Sequence, residues 1–417
     1  MAQTILRDDF LKYAVIGEKL GHSFSKVIHE RFAPYEYDII EVAPDDFDDF
    51  MTKRDFWGIN VTIPYKQRVM EYLSYIDPTA KEIGAVNTVV NRDGALYGYN
   101  TDFGGLKKLI LRQGFDFTDK KVLILGSGGT SKTAFAVSKA LGAASVHRVS
   151  RKGELTYENV LSLHQDADFI INTTPCGMFP NNDTAAISLD DFEALKGVVD
   201  VVYNPLETKL VRKAKEKGIK GCCGLYMLVA QAVLASEIFL DTFYEESVYE
   251  DTYKYVLSKK QNIVLTGMPG SGKSTIGKVL SEKLGKEFVD TDELIIKNEK
   301  KAISDIFAEK GEIYFRNAET EAIKEASSKS GYVIATGGGA ILKKENVDFL
   351  RSNGKIFFLN RPIEDILPTD DRPLSSNRTD LQKRFNERYP IYQETADEVI
   401  FVDGIVENAV RRIEETL

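Results

Sequence analysis

Short apolar runs of strand length recur along the chain: YAVIG (13–17), GINVTI (58–63), KVLILG (121–126), DFIINTT (168–174), GVVDVVY (197–203), NIVLTG (262–267), YVIATGGG (332–339) and KIFFLN (355–360). Most end at a glycine or a polar cluster, where a strand gives way to a turn. Between them lie patterns such as STIGKVLSEKLG (274–285), in which apolar positions return every three or four residues as on one face of a helix. Strands alternating with helices predict parallel sheets covered by helices, an α/β chain. The alternation pauses at YEDTYKYVLSKKQ (249–261), which is charged and tyrosine-rich, so a linker is expected at 256–261 and a new domain at 262–417. No Gly/Ser-rich tether separates the two halves.

With 417 residues the chain is too long for one ordinary core, and two or three domains are expected. Its 43% hydrophobic and 28% charged residues match soluble globular proteins. No apolar run reaches the length of a membrane span, and the opening MAQTILRDDFLKYAVIG has no secretory pattern, so a cytoplasmic protein without a membrane partner is expected. Cys176, Cys222 and Cys223 lack metal-ligand spacing and are expected to be buried thiols. A net charge of −9 argues against a nucleic-acid partner. Anionic ligands would need locally placed Arg and Lys.

In the first half, KVLILGSGGTSKTAFAV reads as strand, glycine turn, helix. Gly126, Ser127, Gly128 and Gly129 form a turn through which the backbone can approach a pyrophosphate at a helix N-terminus, with Ser131 at the third glycine position. Where an acidic residue would bind a ribose 2′-hydroxyl, the chain has Ser150, Arg151 and Lys152. Cations there suit a 2′-phosphate, so NADP(H) is expected rather than NAD. An ordinary tight turn and a solvated Arg-Lys pair are the plain alternatives.

Around that turn stand GHSFSK, GINVTIPYKQRV, GAVNTVV, YGYNTDFGG, INTTPCGM, VVYNPLETKLVRKAKEKG and GLYMLVAQA. Together, in this order, they resemble the shikimate dehydrogenase family over residues 10 to 245. The resemblance implies a substrate-binding domain at 1–101, with return helices at about 232–255, and a Rossmann-like NADP-binding domain at 102–231. Reduction of a ring ketone requires a positioned proton donor, for which Lys66 is the candidate. By resemblance Asp102 is its carboxylate partner, and Ser23, Ser25, Thr62, Asn87 and Gln231 are ligands to the substrate's carboxylate and hydroxyls. Taken singly, Lys66 would be a surface lysine and Asp102 a helix N-cap.

In the second half, Gly267 to Ser274 match G-x-x-x-x-G-K-[ST] between a strand and a helix, the context that gives this motif its meaning. The backbone from Gly267 through Gly270, Ser271, Gly272 and Thr275 is expected to wrap the phosphates of ATP, Lys273 to reach the terminal ones and Ser274 to ligate magnesium. With FVDTDELI, IFAEKGEIYFRNAE, IATGGGAIL, DDRPLS and ERYPIYQETAD, the segment 262–417 resembles shikimate kinase, implying a P-loop, nucleoside-monophosphate-kinase-like parallel sheet with flanking helices. Asp292 is then the group that positions or deprotonates the attacking hydroxyl, and Asp290 supports the magnesium. Arg316 and Arg388 hold the substrate carboxylate, Gly338 and Gly339 approach the ring, and Arg372 stabilises the transferring phosphoryl group from a lid. PIEDILPTDDRPL (362–374) has Leu367 and Pro368 where the family usually carries a further arginine near the adenine.

The two resemblances share a metabolite. They imply reduction of 3-dehydroshikimate to shikimate and then phosphorylation of shikimate in one bifunctional chain. The alternative is an active shikimate or quinate dehydrogenase fused to a kinase-like module that binds ligand or mediates assembly with little catalysis.

Overall fold

A computed structural model describes residues 11–21, 24–366 and 378–417. The chain divides into two compact units, Met1–Tyr203 with Thr208–Val256, and Asn204–Glu207 with Leu257–Leu417. Three sheets account for the apolar runs.

The first unit has two sheets. One orders its strands Asp38–Glu41, Leu11–Gly17, Phe56–Val61, Thr88–Arg92, Ala95–Tyr99 and Tyr75–Ile76. It is mixed rather than parallel: Phe56–Val61 pairs antiparallel with Thr88–Arg92, which pairs antiparallel with Ala95–Tyr99. The cause is local, since Asp93 and Gly94 both take positive φ (52° and 85°) and close the two-residue hairpin that an Asp-Gly pair favours. The other sheet is parallel throughout, ordered Lys220–Cys223, Gly197–Asp200, Phe169–Asn172, Lys121–Leu125 and Ser145–Val149. Its first strand in the chain, Lys121–Leu125, has neighbours on both sides, so the crossovers diverge there and leave a crevice at its carboxyl end.

The helix Thr101–Arg112 leaves the mixed sheet and packs against the helix Leu225–Leu240. The return helices therefore begin at Leu225 and not near 232. The second of them, Glu246–Lys260, runs through most of the segment expected as a linker, whose residues 256–260 are its last turn. Lys108 and Arg112 fasten it with ion pairs to Glu246 and Glu250 at 2.6 and 2.7 Å.

The second unit is built on one parallel sheet, Glu287–Asp290, Tyr332–Ala335, Asn262–Thr266, Gly354–Asn360 and Glu398–Phe401. Val264 and Leu265 at its centre are fully buried between helices. Each such side chain contributes about 1.5–3 kcal/mol through burial. Among the described residues no helix is long and apolar enough to cross a membrane.

A buried carboxyl group ends the strand Gly197–Asp200 of the parallel sheet in the first unit. Asp200 accepts hydrogen bonds from Val202 N, Thr208 Oγ1 and Asn172 Nδ2 at 3.0, 2.8 and 3.0 Å. Burial nevertheless pushes its carboxyl up to about 6, outweighing those donors. A carboxyl whose folded pKa exceeds its unfolded value near 3.9 stabilises the fold at pH below that value and loses the contribution as pH rises through about 6. Relative to Asp200→Asn, the wild type should therefore lose on the order of 2–3 kcal/mol between pH 4 and 7. Urea unfolding followed through Trp57, the single tryptophan and part of this unit, measures that difference; parallel pH profiles for the two proteins would contradict it.

Candidate active sites

In the first unit a cavity of about 460 Å³ is lined by Ser25, Thr62, Lys66, Asn87, Asp102 and Gln231. Lys66 Nζ donates to Asp102 Oδ2 at 2.6 Å, and both side chains keep a quarter or so of their surface open, 29% and 21%. Asp102 is free for this pairing because the N-cap of its helix is Asn100, whose Oδ1 accepts from Phe103 N at 3.2 Å. Asn87 is oriented from the other side: its Oδ1 accepts from Thr101 N at 2.7 Å, so the amide is fixed while it lines the cavity. Asn60, which sequence reasoning left out, holds this arrangement through Asn60 Nδ2 to the Asn87 carbonyl at 3.3 Å and to Thr88 Oγ1 at 3.1 Å. It stood within the quoted GINVTI run, but strand periodicity says nothing of the partners an inward-facing amide will find. Ser23 lies outside the described residues.

Gln231 reaches the same cavity from the helix Leu225–Leu240, with its Nε2 donating to the Leu228 carbonyl at 2.8 Å. The close approach of that helix to the one bearing Asp102 depends on Gly105, where a Cβ would stand 2.8 Å from the Met227 carbonyl.

At the carboxyl edge of the parallel sheet, Leu125 pairs with Val149, which sets the turn at Gly126 beside Ser150. Gly126 has φ of 117°, and a Cβ there would meet Thr173 Oγ1 at 2.7 Å. Gly128 and Gly129 have open space where side chains would stand, and Ser127, Arg151 and Lys152 are exposed. Ser150 Oγ donates to the Lys152 carbonyl and shapes the turn that carries the two cations. An open glycine turn beside a basic strand end fits a dinucleotide with a 2′-phosphate.

In the second unit a cavity of about 790 Å³ opens at the carboxyl end of its sheet. Gly267, Gly270 and Gly272 take φ of 147°, 84° and 93°, which only glycine adopts without strain. Lys273 Nζ donates to the carbonyls of Gly267 and Met268 at 3.0 and 2.9 Å. Ser271 is fully buried in the loop and Thr275 lines the cavity. Ser274 Oγ donates to Asp290 Oδ2 at 2.6 Å, while Asp290 Oδ1 caps the helix Thr291–Glu299 by accepting from Asp292 N at 2.9 Å. A hydroxyl and a carboxylate side by side are the hard oxygen pair that magnesium takes, with water and phosphate completing its shell.

Three glycines position the rest. A Cβ on Gly337 would stand 2.7 Å from Asp292 Oδ1, and one on Gly339 would stand 2.2 Å from Arg316 Nη1. A Cβ on Gly338 would meet Pro269 of the phosphate loop at 2.7 Å, and the Gly338 carbonyl accepts from Arg388 Nη1 at 2.9 Å and Tyr392 at 2.6 Å. These glycines thus make room for the loop and the charged side chains of the site itself.

Arg316 pairs with Glu319 at 2.9 Å and with Glu312 at 3.2 Å. Burial works against the Arg316 charge, but the two carboxylates outweigh it and raise its pKa. Glu319, 1% exposed, is likewise raised by burial, against the opposing charges of Arg316, Arg388 and Lys343. Glu319 was missed in the sequence, although it stands three residues after Arg316, the spacing at which helical side chains meet. Arg372, Leu367 and Pro368 lie outside the described residues.

The geometry defines an α/β chain with a dinucleotide-type glycine turn in one unit and a phosphate-loop site in the other. Comparison with known proteins gives the particular families. Residues 15–89 match the family model of the shikimate dehydrogenase substrate binding domain, and residues 269–417 match that of shikimate kinase. A shikimate dehydrogenase (NADP(+)) of Clostridium perfringens is 37% identical over 264 residues, spanning 57% of this chain and 97% of that protein. The crystal structure of shikimate dehydrogenase 1 from Peptoclostridium difficile is similar at 36% identity and a TM-score of 0.54, over 59% of this chain and 97% of that one. That of Thermus thermophilus shikimate 5-dehydrogenase in complex with NADP(H) and shikimate gives 27% identity and a TM-score of 0.53, over 59% and 99%. The chain belongs to the shikimate dehydrogenase family, and it carries a shikimate kinase domain in the same polypeptide.

Gly105→Ala should force the helices Thr101–Arg112 and Leu225–Leu240 apart. Overpacking of this kind costs about 1–3 kcal/mol. The variant should unfold at lower temperature and show a raised KM for the ketone substrate, because Asp102 and Gln231 separate. Unchanged stability and KM would show that the interface accommodates a methyl group.

Proposed function

We propose that the chain catalyses two consecutive reactions, NADPH-dependent reduction of 3-dehydroshikimate to shikimate and ATP- and magnesium-dependent phosphorylation of shikimate at its 3-hydroxyl. The observation that carries the first is the Lys66–Asp102 pair at 2.6 Å in a cavity shared with Ser25, Thr62, Asn87 and Gln231. NADPH supplies the hydride when bound. As the carbonyl becomes an alkoxide, the Lys66 ammonium gives up the proton that neutralises it, and Asp102 keeps that ammonium aimed at the oxygen. The polar side chains around the cavity orient the ring and its carboxylate, which converts binding into alignment.

The second reaction rests on Lys273, Ser274, Asp290, Asp292, Arg316 and Arg388 converging on one cavity. ATP supplies the phosphoryl group, with magnesium neutralising charge on its phosphates. Asp292 accepts a hydrogen bond from the attacking hydroxyl, Arg316 and Arg388 offer planar guanidinium groups to the carboxylate, and Lys273 stabilises the terminal phosphates. A module that only mediated assembly would have no need of this convergence, and Asp292 placed with Lys273 in the same cavity favours catalysis over ligand binding alone. A cytoplasmic location goes with both reactions, since their substrates and cofactors are water-soluble metabolites.

Full-length protein given 3-dehydroshikimate, NADPH, ATP and magnesium should release shikimate 3-phosphate; accumulation of shikimate alone would leave only the dehydrogenase. Lys66→Ala should abolish ketone reduction while phosphorylation of added shikimate stays near normal. Lys273→Ala should do the reverse, lowering phosphorylation by about a hundred- to a thousandfold. Loss of both activities in either variant, with thermal unfolding unchanged, would replace two independent sites by a coupled one.

Cofactor choice gives a separate test. Arg151→Ala should weaken NADPH by roughly ten- to a hundredfold, the worth of one charge-assisted contact, and leave NADH nearly untouched. Equal losses for both cofactors would remove Arg151 from the 2′-phosphate site.

A further inference from the structure

The phosphate-loop cavity contains a cation that none of the sequence motifs accounts for. Arg361 is the first residue beyond the strand Gly354–Asn360 and lines the cavity with Gly270, Lys273 and Asp292. Its Nη1 donates to the Gly270 carbonyl at a long 3.3 Å, and its Nε is buried without a partner. A guanidinium carries five N–H donors. Among the described residues, the Gly270 carbonyl is the hydrogen-bond acceptor that Arg361 has found, so most of its donor capacity is uncommitted.

Its backbone is held firmly. Pro362 follows and confines Arg361 to extended conformations. The preceding Asn360 carbonyl accepts from Val402 N at 3.0 Å. Thr266 pairs with Phe358 across the sheet, and a Cβ on Gly267 would stand 2.8 Å from the Leu359 carbonyl. Sheet register therefore presses the start of the phosphate loop against the strand end that carries Arg361. The guanidinium is positioned by the sheet.

Two other arginines of the cavity are engaged elsewhere, Arg316 with Glu319 and Glu312 and Arg388 with the Gly338 carbonyl. Lys273 and Arg361 both donate to carbonyls of the loop itself. Amides of such a loop face the phosphates of a nucleotide, and a planar cation anchored on the loop's own carbonyl faces the same charge. We propose that Arg361 binds the terminal phosphates of the nucleotide as a fixed second cation beside Lys273. This rests on reading residues 262–417 as a kinase that uses ATP.

The test uses full-length protein with Arg361→Ala and Arg361→Lys. Calorimetric affinities for ATP, ADP and AMP with magnesium are measured beside kcat and KM for ATP and for shikimate. Arg361→Ala should weaken ATP about ten- to a hundredfold, ADP less and AMP least. The KM for shikimate should stay within about twofold, and Arg361→Lys should recover part of the loss, since it keeps the charge but not the fork. Thermal unfolding and ketone reduction should match wild type. Unaltered ATP affinity would overturn the proposal, and so would equal losses for the three nucleotides, which would place Arg361 at the base or ribose. If wild-type protein bound ATP but transferred no phosphate to shikimate, the kinase reading would fail while the nucleotide affinities still decided the role of Arg361.

Discussion

The burial of parallel strands on both faces is the constraint from which both phosphate-binding turns arise. Lys121–Leu125 and Asn262–Thr266 have strand neighbours on either side and helices above and below, so their backbone groups are spent on the sheet and their side chains on the core. Polarity can appear only where such a strand ends and the chain must turn. Both end at a glycine with positive φ, Gly126 and Gly267, and both feed a helix whose first amides have no partner within the helix. An anion-binding pocket is the consequence of that geometry.

Close approach then does the positioning. Gly105 lets the helix carrying Asp102 come against the one carrying Gln231, while Gly337 and Gly339 give way to Asp292 and Arg316. In each case the space a Cβ would fill is taken by a side chain of the cavity or by its helix. The chain's net charge of −9 is no obstacle to anionic ligands, because cations are placed locally: Arg151 and Lys152 at a strand end, and others in the second cavity, where solvent screens them less than on the open surface.

Charged pairs in the two sites differ in kind. Lys66 and Asp102 stay partly open to water, which suits the proton transfer proposed for Lys66. Arg316 and Glu319 form a pair whose carboxylate is almost wholly buried. Breaking such a pair leaves an uncompensated charge in a poor solvent for it, so the pair holds the guanidinium in one orientation.

What the sequence determined by itself was whatever depends on neighbours along the chain. The glycine-rich turns, the phosphate loop through Ser274 and the alternation of strands with helices are local patterns, legible without a structure. The Asp93-Gly94 hairpin was equally local, and it makes the first sheet mixed where alternation alone predicted parallel strands. Only the tertiary structure decided what depends on sheet order and register. It brought Lys66 to Asp102 across 36 positions, set Asn60 behind Asn87, made 256–260 the end of a helix and placed Arg361 on the phosphate loop across 91 positions. Periodicity records which face of an element is buried. It carries no record of which distant element will cover that face, because strand pairing is chosen by the packing of the whole sheet.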